Sequence, residues 1–176
     1  LISKYRPKVF SDFSFDKNII NCLKKLIAIN HLNILLYGGS GSGKSTLIDV
    51  IINTYYDFDI DNTNILNISS IHDQGISYFR NDVKTFCQSP CSIKNKKKLI
   101  IIDDIDTLNE QCQQTFRSCL DKYSKNVCFI LSCTNIQKII ETIQSRTNII
   151  RIPLAKEIDL SNITKKICHA ENIILD

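Results

Sequence analysis

The sequence predicts an α/β fold in which a five-stranded parallel sheet lies between helices. Short apolar runs alternate along the chain with longer segments of helical periodicity, and parallel strands need such covering connections. The run "LIII" at Leu99–Ile102 shows no polar alternation, which is typical of a strand covered on both faces. Both observations favour a parallel sheet over an antiparallel one.

The predicted elements alternate between strand and helix. Strands are predicted at residues 33–37, 63–69, 99–102, 126–133 and 148–152. Helices are predicted at 16–29, 44–56, 75–87, 109–123 and 160–173, and the second of them places Leu47, Val50, Ile51 and Thr54 on one face. Pro153 closes the last strand, and the chain after it has only helical periodicity. We therefore expect one domain at 1–152 and the beginning of another at 153–176.

Length and composition set wide limits on the function. The 176 residues are 43% hydrophobic, which is enough for a core, and the net charge of +4 does not by itself indicate a nucleic-acid partner. No apolar run approaches the length of a membrane span, and residues 1–8 carry too many charges for a signal peptide. We expect a soluble globular protein and, because the chain begins at Leu1, a fragment of a longer one.

The eight cysteines show no CxxC spacing. Six of them lie within apolar patterns, namely Cys22, Cys112, Cys119, Cys128, Cys133 and Cys168. This pattern favours buried, reduced thiols in a cytosolic or nuclear protein over a disulfide framework, and we assign no zinc to Cys87 and Cys91. The lysine-rich run at Lys94–Lys98 is expected to be a solvated surface loop.

A glycine-rich segment carries the strongest functional signal. "GGSGSGKS" at Gly38–Ser45 follows the first strand, opens a helix and matches the G-x-x-x-x-G-K-[ST] pattern of phosphate-binding loops. In such loops backbone N–H groups surround a phosphate, the lysine neutralises the outer phosphates and the final hydroxyl reaches Mg²⁺. The residues predicted to bind the phosphates of a nucleotide here are Gly38, Gly39, Ser40, Gly41, Ser42, Gly43, Lys44, Ser45 and Thr46.

Three aspartates follow the strand at 99–102. This segment alone is equally compatible with a solvated turn, but downstream of a phosphate loop it matches a Walker B element. Asp103 is then predicted to hold Mg²⁺ together with Ser45, and Asp104 to polarise the attacking water. Asp106 is expected to cap the following helix or to remain solvated.

Several segments resemble, in chain order, the small subunits of replication factor C, the sliding-clamp loader ATPases of the AAA+ class. They are "KYRPKVFSDF" (4–13), "GGSGSGKST" (38–46), "IIIDDIDTLNEQCQQTFRSCLDKYS" (100–124), "FILSCTNIQKIIETIQSR" (129–146) and "AENI" (170–173). The resemblance covers nearly the whole chain and implies an AAA+ P-loop domain at 1–152, followed by the start of a helical lid. It also implies that the second sensor and the oligomerisation collar lie beyond Asp176, so that the fragment alone would bind ATP weakly.

The resemblance implies further residues of the site. Tyr5, Arg6, Pro7 and Val9 correspond to positions that lie against the adenine and ribose. Thr134 occupies the sensor position, where its hydroxyl would reach the γ-phosphate or the attacking water, and Asn135 is the alternative. Arg146 in "QSR" would be an arginine finger that stabilises transition-state charge on the nucleotide of the neighbouring subunit, although Thr147 replaces the cysteine of the family motif.

Residues 69–86 resemble the segment and helix with which clamp loaders follow the DNA backbone. Arg80 and Lys84 lie four positions apart on one helical face, which suits contacts with phosphates. Without the resemblance, such a pair would be more typical of solvated charges on a helix surface, and the resemblance favours the contact with DNA. The resemblance implies ATP and Mg²⁺ as cofactors. It implies as partners the other subunits of a hetero-oligomeric ring, a sliding clamp and primer–template DNA, at a nuclear or other intracellular site of DNA replication.

One position departs from the family pattern. Asp104 stands where most active clamp-loader ATPases have glutamate, and a misplacement of about 1 Å can cost roughly 10²-fold in rate. Slow hydrolysis is therefore expected, and a nucleotide-binding but non-hydrolysing structural subunit remains an alternative to an active ATPase. A P-loop small-molecule kinase is a third possibility, against which the sensor and "QSR" segments argue.

Overall fold

The computed structural model describes residues 4–68 and 76–171, and only the backbone at 76–80 and 166. The strands are β1 (Ile34–Tyr37), β2 (Ile65–Ile68), β3 (Lys98–Ile102), β4 (Val127–Cys133) and β5 (Asn148–Arg151). The helices are α1 (Lys17–Ala28), α2 (Lys44–Tyr55), α3 (Ile76–Gln88), α4 (Glu110–Tyr123), α5 (Glu141–Gln144) and α6 (Glu157–Glu171). Short 3₁₀ helices lie at Phe10–Asp12, Asn62–Asn64, Ile105–Thr107 and Ile136–Lys138.

The strands form one parallel sheet in the order β2-β3-β4-β1-β5. This confirms the predicted five-stranded parallel sheet between helices. Since all strands run in the same direction, the segments that follow β1, β3 and β4 meet at one edge of the sheet. The phosphate loop, the paired aspartates and Thr134 are those segments, so the topology brings them together.

The core lies on both faces of the sheet, which explains why the strands lack polar alternation. In β3, Ile100 and Ile102 belong to a cluster with α3 and α4, whereas Leu99 and Ile101 belong to a cluster with α1 and α2. Helix α2 is buried more widely than its predicted face, because Ile48, Ile52 and Tyr55 are also buried.

The side-chain environment differs from the prediction at three positions. Cys22 is exposed on the outer side of α1 and Cys168 on α6 is only partly buried, so the prediction of burial is wrong for both. Lys98 is buried, with its ammonium 4.4 Å from the centre of the Phe86 ring and 2.5 Å from Ser89 Oγ. The expectation of a solvated lysine is therefore wrong at Lys98, where an aromatic face and a hydroxyl replace water.

The N-terminal segment is hydrogen-bonded to the last helix, α6. Lys4 Nζ and Tyr5 Oη each donate a hydrogen bond of 2.6 Å to Glu171 Oε1. The hydrogen bond from Lys4 is the main cause of the lowered pKa of Glu171.

Across the described ranges, no helix combines the length and the apolar content needed to cross a membrane. The domain boundary near residue 153 stays a prediction.

Candidate functional site

The phosphate loop follows β1 directly and ends where α2 begins at Lys44. Gly43 has φ of 88°, in the left-handed region that disfavours side chains. Gly38 packs so closely against the chain after β5 that an added Cβ would lie 2.3 Å from the carbonyl oxygen of Ile152. The glycines at these two positions therefore permit the shape of the loop.

Lys44 and the loop surround a polar cavity of about 340 Å³. Lys44 is 6% exposed, and its Nζ donates to the carbonyl oxygens of Gly38 at 2.9 Å and Gly39 at 3.1 Å. The buried Ser42 hydroxyl has no hydrogen-bond partner among the described residues. The cavity is lined by Ser40, Gly41, Gly43, Lys44, Ser45, Thr46, Asp104 and Thr134. Ser42 lies outside this lining. A buried cation and the N-terminus of a helix suit the phosphates of a nucleotide.

Asp103 at the end of β3 joins the loop to the neighbouring strand. Ser45 Oγ donates a hydrogen bond of 2.7 Å to Asp103 Oδ2, and Ser132 Oγ donates to Asp103 Oδ1. Ser132 also accepts a hydrogen bond of 3.1 Å from the Asp104 N–H. A serine hydroxyl and a carboxylate are the oxygen ligands that Mg²⁺ prefers, so the predicted pair fits that ion. Sequence reasoning missed Ser132, whose signal was a polar residue within the apolar run of β4.

Asp104 faces the cavity from a left-handed backbone conformation, with φ of 55° and ψ of 50°. Aspartate tolerates this region better than most residues with a side chain. Burial raises the pKa of the Asp104 carboxyl, and repulsion from Asp103 and Asp106 raises it further, whereas Lys44 acts in the opposite direction. The site therefore contains an exposed carboxylate of raised proton affinity beside Lys44 and Thr134.

Asp106 neither caps the following helix nor remains solvated, and that prediction was wrong. Its Oδ2 accepts hydrogen bonds from Thr134 N–H at 3.1 Å, Thr134 Oγ1 at 2.7 Å and Asn135 N–H at 2.9 Å. Burial alone would raise the pKa of Asp106, but these hydrogen bonds outweigh burial and lower it. Helix α4 is capped instead by Asn109. Asp106 fixes the segment after β4, because β3 and β4 are adjacent in the sheet.

The residues predicted to contact the adenine lie beside α2 and α6. Arg6 Nη2 is 2.5 Å from Asp49 Oδ2 on α2, and Tyr5 binds Glu171 on α6. Val9 is 40% exposed, and Pro7 is partly buried in the same segment. Asn135 accepts a hydrogen bond of 2.9 Å from the Gln137 N–H and so caps a 3₁₀ helix. These five residues lie outside the lining of the cavity at Lys44.

Arg146 lies at the edge of the sheet opposite the phosphate loop. Arg146 lies just before β5 in the chain. The first residue of β5 pairs with the first residue of β1, whereas the phosphate loop follows the last residue of β1. Four residues of strand, about 13 Å, separate the two edges. Arg146 Nε donates to Asp121 Oδ1 on α4, and the Arg146 side chain is 33% exposed.

Lys84 lies on α3 in a surface groove of about 530 Å³. Arg117 and Lys122 of α4 line the same groove, so three cations face it. The side chain of Arg80, and residues 69–75 of the predicted DNA-binding segment, lie outside the described residues. The structure therefore gives the surroundings of Lys84 but not those of Arg80.

Residues 34–154 match the family described as ATPases associated with various cellular activities. The chain is 35% identical over 156 residues to the replication factor C small subunit of Saccharolobus solfataricus, covering 88% of this chain and 47% of that protein. It is 30% identical over 159 residues to human replication factor C subunit 5, covering 89% and 47%. The chain thus spans about half the length of the curated relatives it matches.

Solved structures share the fold. The Thermotoga maritima RuvB Holliday junction branch migration motor superposes with a TM-score of 0.71 at 18% identity, covering 96% of this chain and 55% of that one. A DNA polymerase III gamma subunit-related protein of the same organism superposes with a TM-score of 0.61 at 20% identity, covering 77% and 47%. At these identities the likeness indicates the fold alone.

Proposed function

The chain belongs to the AAA family of ATPases, and from that membership we propose that it is part of an ATPase subunit of a DNA sliding-clamp loader. The observation that carries the proposal is the contact between Ser45 and Asp103, which joins the phosphate loop to the end of β3 beside Lys44. Similarity to replication factor C small subunits of an archaeon and of human supports the clamp-loader role over that of a small-molecule kinase.

Lys44, Ser45 and Asp103 would hold ATP and its magnesium ion. The buried Lys44 ammonium would pair with the outer phosphates. Mg²⁺ at Ser45 and Asp103 would neutralise negative charge on those phosphates. The polar lining of the cavity and the N-terminus of α2 support this assignment.

Asp104 and Thr134 would act on the attacking water. Both side chains line the same cavity as Lys44, so a γ-phosphate bound by Lys44 would lie close to both of them. Asp104 would accept the proton of the water, and its raised pKa increases its proton affinity. The Thr134 hydroxyl donates its proton to Asp106 at 2.7 Å, so its oxygen would accept a hydrogen bond from the attacking water and orient it, and contact with the γ-phosphate would require the hydroxyl to rotate.

Arg146 would serve the nucleotide of a neighbouring subunit. Its position at the amino edge of the sheet supports this role, because its own phosphate loop lies at the carboxyl edge. A ring of subunits would join these two edges, and an added guanidinium stabilises charge that develops on the transferred phosphoryl group. Tyr5, Arg6, Pro7 and Val9 would contact the base from the segment beside α2, and Asn135 is the alternative sensor.

The proposed partners are the other subunits of a hetero-oligomeric ring, a sliding clamp and primer–template DNA, at a nuclear or other intracellular site of replication. Lys84 supports the DNA contact, because it lies with Arg117 and Lys122 along one cationic groove. Such lysine and arginine contacts bind the phosphate backbone and do not read sequence. Arg80, which precedes Lys84 on α3, would provide a further contact with the phosphate backbone.

The test is ATP hydrolysis by the full-length protein, assembled with its co-expressed partner subunits. We expect primer–template DNA and the clamp together to stimulate turnover, and Lys44→Ala to abolish it. Phosphate transfer to a nucleoside, without stimulation by DNA, would contradict the proposal. ATP binding without stimulated turnover would instead indicate a non-hydrolysing subunit. The presence of Asp104 favours this alternative, because an aspartate side chain is one methylene shorter than that of glutamate.

A further inference from the structure

Asp121 on α4 binds two arginines at once. Arg117 Nη2 lies 3.0 Å from Asp121 Oδ2, and Arg146 Nε donates to Asp121 Oδ1. Both carboxylate oxygens are therefore engaged by charged donors from different parts of the chain. The hydrogen bond from Arg146 is the main reason that the pKa of Asp121 lies below its ordinary value.

Arg146 is held on a second side by its own helix turn. Its Nη1 donates 2.8 Å to the carbonyl oxygen of Thr142 and 3.3 Å to Ser145 Oγ. With Nε on Asp121 and Nη1 on the chain of α5, the plane of the guanidinium is fixed. A free arginine side chain loses rotamer entropy when it is ordered. Here much of that ordering is complete within the subunit.

The surroundings of Arg146 suit an anion that approaches from outside the subunit. Arg146 and Asp121 line an open cavity of about 450 Å³ at the amino edge of the sheet, together with Lys97 and Lys125. Arg146, Lys97 and Lys125 thus face a single carboxylate. That carboxylate, of Asp121, also pairs with Arg117. The remaining positive charge would attract the phosphates of a nucleotide bound to an adjoining protomer.

We propose that Asp121 is a positioning residue that holds Arg146 in the orientation in which it meets the nucleotide of the neighbouring subunit, with Arg117 fixing Asp121 in turn. This inference rests on the proposed function of Arg146. An arginine ordered before the subunits meet requires no reorganisation when charge develops on the γ-phosphate. A misplacement of about 1 Å costs roughly 10²-fold in rate, so loss of the carboxylate is expected to reduce kcat.

The experiment measures kcat and KM for ATP in the assembled full-length complex with primer–template DNA and the clamp. Asp121→Asn is expected to lower kcat roughly 10- to 100-fold, because the guanidinium loses its charged partner, and to leave KM within about 2-fold. Asp121→Glu keeps the charge and is expected to restore most of the kcat. Asp59→Asn, at an exposed position in the segment after α2, is the matched control with the same change in charge.

Arg146→Ala separates this inference from the proposed function. If Arg146→Ala lowers kcat but Asp121→Asn behaves like Asp59→Asn, the positioning role of Asp121 is wrong while that of Arg146 stands. If Arg146→Ala leaves kcat unchanged, both are wrong. Because the charge of Asp121 also pairs with Arg117 and Arg146, the folded fraction of each variant is measured by thermal denaturation and kcat is expressed per folded complex. A decrease in kcat that disappears after this correction would contradict the positioning role.

Discussion

Ser45 Oγ lies 2.7 Å from Asp103 Oδ2, although 58 positions separate the two residues in the sequence. The hydroxyl comes from the first turn of α2 and the carboxylate from the end of β3. Their contact depends on β4, which lies between β1 and β3 and supplies Ser132 to the second oxygen of Asp103. This relationship is the basis of the predictions on nucleotide binding.

Ser45→Ala is expected to weaken ATP binding in the presence of Mg²⁺ about 10-fold or more, because it removes an oxygen that would bind the ion. Calorimetric titration with ATP, with Mg²⁺ and with excess chelator, measures the effect. Affinity for metal-free ATP should change little. Ser118→Ala on α4 is the control, and equal losses with and without Mg²⁺ would contradict the role of Ser45.

Asp104→Ala is expected to abolish stimulated hydrolysis while ATP binding remains, because no carboxylate is left to accept the proton of water. Asp104→Glu should raise turnover, since its carboxylate reaches one methylene farther. Steady-state hydrolysis and ATP titration of the assembled complex measure both effects. If neither variant changes turnover, Asp104 is not the base.

The pH dependence of turnover follows from the raised pKa of Asp104. Only the ionised carboxylate can accept a proton, so kcat/KM, which reports the ionisation of the free enzyme, is expected to fall as the pH decreases through a pKa above the ordinary aspartate value of 3.8. Rates measured at ATP concentrations well below KM across the acid range give this decrease. If the decrease in rate at low pH keeps the same midpoint in Asp104→Glu, it belongs to another group.

Asp106→Asn is expected to destabilise the fold by about 1.5–3 kcal/mol at neutral pH, because the charged acceptor of three hydrogen bonds is lost. The folded-state pKa of Asp106 lies below the unfolded value, so its stabilisation is present above the unfolded pKa and disappears as the pH falls through the folded one. Urea denaturation at pH 7 and in the acid range measures both effects. The difference from the parent protein should shrink in acid, whereas Asp59→Asn should show little difference at either pH.

Gly38→Ala and Gly39→Ala form a matched pair. A Cβ at Gly38 would lie 2.3 Å from a backbone oxygen, whereas one at Gly39 would lie 3.4 Å from the Leu154 side chain. We expect Gly38→Ala to lower the free energy of unfolding by about 1–3 kcal/mol, as overpacking does, and Gly39→Ala by less than about 0.5 kcal/mol. Denaturant titration compares them. Equal effects would show that the loop does not close against the residue after β5.

The sequence predicted that Ser45 and Asp103 meet, but it did not predict three other contacts between distant segments. Ser132 with Asp103, Asp106 with Thr134 and Asp121 with Arg146 each join residues 25 to 29 positions apart. The role of Asp106 was predicted wrongly, because a carboxylate next to a helix start ordinarily serves as a cap. Only the adjacency of β3 and β4 makes Thr134 the nearer partner.

The sequence by itself determined the elements and the phosphate-binding chemistry of this protein. Both depend on residues close together in the chain: apolar runs of strand length, helical periodicity, and the eight residues of the glycine-rich loop. The tertiary structure decided which strands are neighbours and therefore which polar side chains meet. Hydrogen bonds act over about 3 Å, so the order β2-β3-β4-β1-β5, which no local pattern encodes, selects the partners of Asp103 and Asp106.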